Sequence, residues 1–188
     1  MENTPAKEQP EARKIILFFA KICFLYLAWY FIFEFWILPH TDIHRVFTTW
    51  TANLAGWLLN LFHFVPVEVR PNLAADNFAI FHAITGRKLV NVGHGCNALT
   101  LMVLFSGFIL AFPAAIIQKV KFLSAGILII FVLNILRVVA LTGMWVYNAK
   151  WVDFNHKYAF TTFMYLVIMG MWLYWIRGLQ LEKVEQSQ

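Results

Sequence analysis

Four apolar runs leave this chain little choice of solvent. A hydrocarbon core about 30 Å thick takes about 20 helical residues to cross, and Ile15–Leu38, Asn97–Ile117, Phe122–Tyr147 and Tyr158–Ile176 meet that requirement. Only 13% of the 188 residues are charged and 61% are hydrophobic, whereas soluble domains carry about 25% charged residues. Tryptophan and tyrosine gather towards the run ends, among them Trp29, Tyr30, Trp145, Tyr147 and Tyr158, as interfacial aromatics do. The first run is too long for a signal peptide and lacks a small-residue cleavage site, so it reads as a retained span. Lys21 and Glu34, near its two ends, read as residues that snorkel to opposite interfaces.

A fifth stretch, Arg45–Phe64, is amphipathic. Phe47, Trp50, Leu54, Trp57, Leu58 and Leu61 form one apolar stripe at helical spacing, with Thr48, Thr49, Thr51, Asn53, Asn60 and His63 largely off it. Charge decides its expected placement. Putting Lys7, Arg13, Lys14, Lys21, Lys119, Lys121 and Arg177 in the cytoplasm satisfies the positive-inside rule. Both termini are then cytoplasmic, residues 39–96 and 148–157 face outward, and the span number is even. On that count 45–64 lies flat on the outer leaflet. The net charge of +5 is explained by this topology and an anionic inner leaflet, and calls for no nucleic-acid partner.

The expected fold is therefore an all-α membrane protein. It is a polytopic helical bundle of about four spanning helices, with one interfacial helix and a small extracytoplasmic hairpin. The expected organisation is a cytoplasmic tail (1–14), one integral-membrane domain (15–176) and a second cytoplasmic tail (177–188). The hairpin falls in the long outward loop. Val65–Arg70 alternates, and Phe78–Ile84 and Lys88–Val92 flank a turn at Thr85, Gly86 and Arg87. It either offers an edge to an extended peptide or merely caps the bundle.

Under this topology three scattered polar residues converge on the outer face. Cys96 follows Gly93 and Gly95 at the mouth of the second run, where a helix N-terminus lowers a thiol pKa and backbone N–H groups from Asn97 onward can bind an oxyanion. Arg137 lies about 22 Å from the cytoplasmic end of the third run, in the outer half of the membrane. An intramembrane arginine is costly unless it faces a polar cavity. Asn134, one turn earlier on the same face, can hold its guanidinium. His156 stands at the outer entrance of the last run and can move a proton to and from a thiol. Cys23 reads as an apolar filler deep on the cytoplasmic side, too far from Cys96 for a disulfide.

Gly95-Cys96-Asn97-Ala98-Leu99, Asn134-Ile-Leu-Arg137 and His156 resemble the three signature blocks of the exosortase/archaeosortase family of membrane transpeptidases. The resemblance spans roughly residues 60–176 and is closest to the short members of the F-type branch. It implies catalytic Cys96, Arg137 and His156, with Asn134 and Asn97 in support and no metal or cofactor. It further implies cleavage of C-terminal sorting signals on membrane-anchored proteins through a thioester, and transfer to an amine acceptor whose identity is not legible. The implied setting is the bacterial inner membrane, with the bilayer itself as a partner and the site on the extracytoplasmic side. Two positions depart from the family pattern: Asn97 and Ala98 stand where a small hydroxyl residue and a glycine are common. Two other classes of function stay open at this level. One is histidine-based metal or haem binding, through His40 and His44 or through His94 and Cys96; the other is a non-catalytic scaffold or transport component.

Overall fold

The computed structural model describes residues 9–32, 35–36, 40–63, 66–71, 77–83, 88–93, 96–112 and 114–185. Lys7, Glu34, Thr85, Gly86, Arg87, His94 and Gly95 lie outside the described residues. Among the described residues the long helices are α1 (Gln9–Ile32), α2 (Ile43–Leu61), α3 (Leu99–Ala111), α4 (Ile116–Asn148) and α5 (Phe160–Glu185). Between α2 and α3 come three strands, β1 (Val67–Pro71), β2 (Asn77–Ala83) and β3 (Lys88–Gly93). They form an antiparallel sheet of order β1-β2-β3, in register at Val67↔Ala83 and Ile80↔Asn91. The fold is thus mostly helical but not all-α, and the expected two-stranded hairpin is a three-stranded sheet.

Among the described residues two stretches are long and apolar enough to cross a bilayer, Ile116–Tyr147 and Val152–Leu179, while Ile16–Ile32 and Leu99–Ala111 are apolar but shorter. The expected run Asn97–Ile117 is therefore not one helix. Pro113 disfavours helical backbone at the residue before it, and Phe112 is extended at φ −76° and ψ 142°. The 13 residues of α3 rise about 20 Å at 1.5 Å each, less than the thickness of a hydrocarbon core. Residues 118–121, between the second and third expected runs, are helical and form the first turns of α4. There Lys119 Nζ donates to the Leu110 carbonyl (3.2 Å), satisfying a carbonyl that the end of α3 leaves unpaired. The helices also continue into both expected tails, from Gln9 at one end and to Glu185 at the other.

Lipid gives apolar side chains no drive to meet each other, so packing in a membrane relies on close fit and small residues. Gly126 supplies such a fit. A Cβ there would run into the Phe105 ring, and that ring is fully buried among α3, α4 and α5 with Ile109, Ile130, Met164 and Ile168. Along α1, Phe18 meets Phe112 edge-on at 4.7 Å and Phe108 at 6.0 Å.

Helix α2 turns its apolar stripe away from the rest of the protein, as a stripe that meets lipid would. Trp50, Leu54, Trp57 and Leu61 are exposed, whereas Thr48, Thr51, Ala52, Ala55 and Leu59 are buried. The small face packs on Ile135 and Val138 of α4 and on Val67 and Val92 of the sheet. Nearer its start, Phe47 and Trp50 border a crevice with Met102, Ser106, Ile127 and Leu128. Helix α2 therefore runs lengthwise beside α4 and does not lie across the end of the bundle. At its far end Asn60 imitates a strand: its amide donates to the Val67 carbonyl (3.0 Å) and accepts the Val67 N–H (2.9 Å). That double bond seats β1 on α2, and β3 ends three residues before Cys96.

Candidate active site

Each of the three sequence-predicted residues arrives from a different element, and the structure brings them together. Cys96 lies between β3 and α3. Arg137 is on α4, 21 residues beyond Ile116, which places it about 32 Å along that helix. His156 belongs to a short irregular connection. A 3-10 turn (Ala149–Trp151), one α turn (Val152–Phe154) and a π turn (Asn155–Ala159) join α4 to α5. π turns interrupt the regular ladder and free backbone groups for other partners. Here the His156 carbonyl accepts from Thr161 Oγ1 (3.2 Å) and from Arg137 Nη2 (3.4 Å). Its ring Nε2 stands 3.9 Å from Cys96 Sγ, within hydrogen-bond reach for sulfur.

Asn134 does something its spacing did not suggest. It is fully buried, and its amide donates to the Cys96 carbonyl at 2.5 Å, so it holds the cysteine backbone and not the guanidinium one turn away. Sequence spacing marks which residues share a helix face; it does not show which loop will arrive opposite. Asn97 is also buried, and its side-chain oxygen accepts the Leu99 N–H (3.0 Å). That bond uses a donor at the start of α3, one of the N–H groups expected to serve an oxyanion. Ala98 between them takes left-handed backbone (φ 56°, ψ 7°), a region that favours glycine.

The expected electrostatics of Cys96 need correction as well. The thiol is not at the helix terminus but three residues ahead of Leu99. Burial pushes its pKa up, while the Arg137 charge and the Gly93 N–H pull it down without reversing the shift. Arg137 is 8% exposed, and among the described residues no carboxylate pairs with it. Two buried polar atoms at this end of α4 find no partner among the described residues, Arg137 Nε and Asn134 Oδ1. Buried polar groups are normally satisfied, so an orphan donor and an orphan acceptor beside a thiol and an imidazole mark unused recognition capacity.

The histidine-rich alternatives meet different surroundings. His40 Nδ1 lies 2.9 Å from the Trp36 carbonyl, His63 is exposed on left-handed backbone, and His94 is outside the described residues. Among the described residues no three His, Cys, Asp or Glu converge as a metal site would require. Cys23 and Cys96 are both free thiols.

The family model for transmembrane exosortases matches residues 13–180. The chain belongs to the transmembrane exosortase family. The match extends the resemblance, expected over 60–176, through α2 and most of α1. Exosortases are membrane proteins, in general cysteine peptidases and transpeptidases acting on substrates that carry sorting signals. No curated protein matches this exosortase, and no solved structure does.

Proposed function

We propose that this exosortase is a membrane cysteine transpeptidase in which Cys96 is the nucleophile, His156 the proton carrier and Arg137 the group that orients the substrate carbonyl. The observation that carries the reading is the 3.9 Å approach of Cys96 Sγ to His156 Nε2, from elements 60 residues apart, beside a buried arginine bonded to the same histidine's carbonyl. Burial raises the thiol pKa, so attack calls for a base in contact. His156 with its proton on Nδ1 presents Nε2 for that purpose.

In the first half-reaction Sγ bonds to the scissile carbonyl carbon as its proton passes to Nε2. Positive charge from Arg137 stabilises the oxyanion. Collapse breaks the C–N bond, the imidazolium returns its proton to the leaving amine, and a thioester remains on Cys96. In the second, an acceptor amine gives a proton to Nε2 as its nitrogen bonds to the thioester carbon, and the sulfur leaves and regains that proton. Atoms and charge balance without a cofactor. Arg137 Nε and Asn134 Oδ1 are suited to a carbonyl oxygen and an N–H of one extended peptide. Asn97 serves by shaping the turn that carries the thiol.

The proposed setting is the inner membrane of a bacterium, with residues 15–176 as the membrane unit and the 1–14 and 177–188 segments on the cytoplasmic side. The site then faces outward, and the substrates are envelope proteins with a C-terminal sorting signal. The test is mass spectrometry of envelope-protein C-termini in the host, comparing wild type with Cys96→Ala at equal expression. Loss of a C-terminal apolar helix from a set of proteins only in the wild type is expected. Identical termini in the two strains would overturn the proposal.

A further inference from the structure

At the end of the bundle away from Cys96, α4 and α5 enclose a crevice of about 620 Å³. Lys121 lies 16 residues before Arg137 on α4, about 24 Å along the helix, so this crevice is a membrane's depth from the thiol. Phe122, Ala125, Tyr174 and Trp175 form its apolar part, and Lys121 and Arg177 are its two cations. The Phe122 ring is 4.8 Å from Trp175 and stacks on Tyr174 at 6.2 Å. Among the described residues no acidic side chain lines it. Trp175 is 93% buried, from its 7% exposure, yet its indole Nε1 has no acceptor among the described residues. A buried indole donor normally has one.

We infer that this crevice is a binding site for one acidic glycerophospholipid, its phosphate held by Lys121 and Arg177 and its acyl chain laid against the Phe122–Trp175 aromatic wall. Two requirements of such a ligand are present: a planar guanidinium and an ammonium suit a phosphate diester, and the aromatic surface suits an interfacial glycerol and upper chain. A zwitterionic lipid satisfies the wall but brings its own cation to two others. The site owes nothing to the Cys96 chemistry and stands or falls without it.

The test is native mass spectrometry of the full-length protein in neutral detergent. Phosphatidylglycerol, phosphatidylcholine and inorganic phosphate are added in separate arms. Wild type is compared with Lys121→Ala/Arg177→Ala, with Gly178→Leu and with Lys150→Ala, whose exposed cation lies at the other end of α4. Retention of one phosphatidylglycerol is expected in wild type and in Lys150→Ala, with affinity ~30-fold weaker in the double variant. Gly178 lines the crevice and its Cβ position is open, so Gly178→Leu folds normally and blocks the lipid by bulk alone. That second variant keeps the test decisive if the double variant is unstable. Equal retention of phosphatidylcholine, unchanged binding in Gly178→Leu, or an equal loss in Lys150→Ala would each overturn the inference. Inorganic phosphate that competes fully with the lipid would show an anion site without a lipid's chain.

Discussion

Replacing Asn134 with leucine separates positioning from stability. Asn134 is fully buried with one bond, from its amide to the Cys96 carbonyl at 2.5 Å, and with its side-chain oxygen unpaired. Leucine removes the bond, which leaves a carbonyl unsatisfied at a cost of about 1–3 kcal/mol. It also removes the orphan oxygen, which returns about the same amount. The two effects oppose each other in one residue whose side chain keeps the same number and branching of heavy atoms. Net stability should therefore move by less than about 1 kcal/mol. The reacting geometry has no such compensation, because the bond fixes the cysteine backbone relative to α4, where Arg137 resides. A displacement of about 1 Å at a reacting atom costs about 100-fold in rate, equivalent to about 2.7 kcal/mol of barrier. The assay pairs thermal unfolding in detergent with processing of the substrates identified by the C-terminal comparison. Asn134→Asp should be slower still, because a carboxylate one turn from Arg137 draws the guanidinium away from the His156 carbonyl. A leucine variant destabilised by about 3 kcal/mol but fully active once folded would refute the reasoning.

Three further outcomes are expected. Gly126→Ala drives a methyl group into the buried Phe105 ring and should lower unfolding stability by about 1–3 kcal/mol, read by the same thermal assay; an unchanged midpoint would mean that α3 and α4 have slack. Ala98→Val puts a β-branched side chain on left-handed backbone at φ 56° and should cost at least about 1–2 kcal/mol, whereas Ala98→Gly should be tolerated with little change. Because burial raises the Cys96 thiol and Arg137 lowers it, alkylation of Cys96 by iodoacetamide should rise only at pH above that needed for an exposed cysteine. Arg137→Gln should move that rise to higher pH still, and a downward move would show that the charge does not act on the sulfur.

Residue chemistry was easier to read from the sequence than residue orientation. Cys96, Arg137 and His156 stand out because each is an awkward group among apolar neighbours, and an awkward group signals its purpose at any orientation. The apolar runs were legible for the same reason. Orientation depends on what arrives opposite. On α2 the Trp50–Leu61 stripe has the period of a buried face, yet in lipid the large residues point outward and Ala52 and Ala55 point in. The helix end at Phe112 follows from the proline after it, which an apolar run counted by hydropathy does not register. Asn134 and Asn97 were marked as supporting residues, but their partners, the Cys96 carbonyl and the Leu99 N–H, are backbone atoms that no side-chain pattern encodes. The third strand was half-visible in the alternation of Val65–Arg70, whose pairing partner, β2 after five intervening residues, that alternation does not name.

Gly126, Ile130, Asn134 and Arg137 fall at intervals of four, four and three residues, which aligns them along one side of α4. One end of that line is a mechanical seat, where the Phe105 ring presses against bare backbone; the other end is the chemistry. Helix α3 therefore acts as a strut of set length. It rests on α4 at Gly126 and holds the sulfur nine residues above the point of rest. A slide of one helical turn between the two helices is 5.4 Å, enough to part the thiol from its imidazole. The glycine that contributes no atoms to catalysis thus sets the height at which the nucleophile stands.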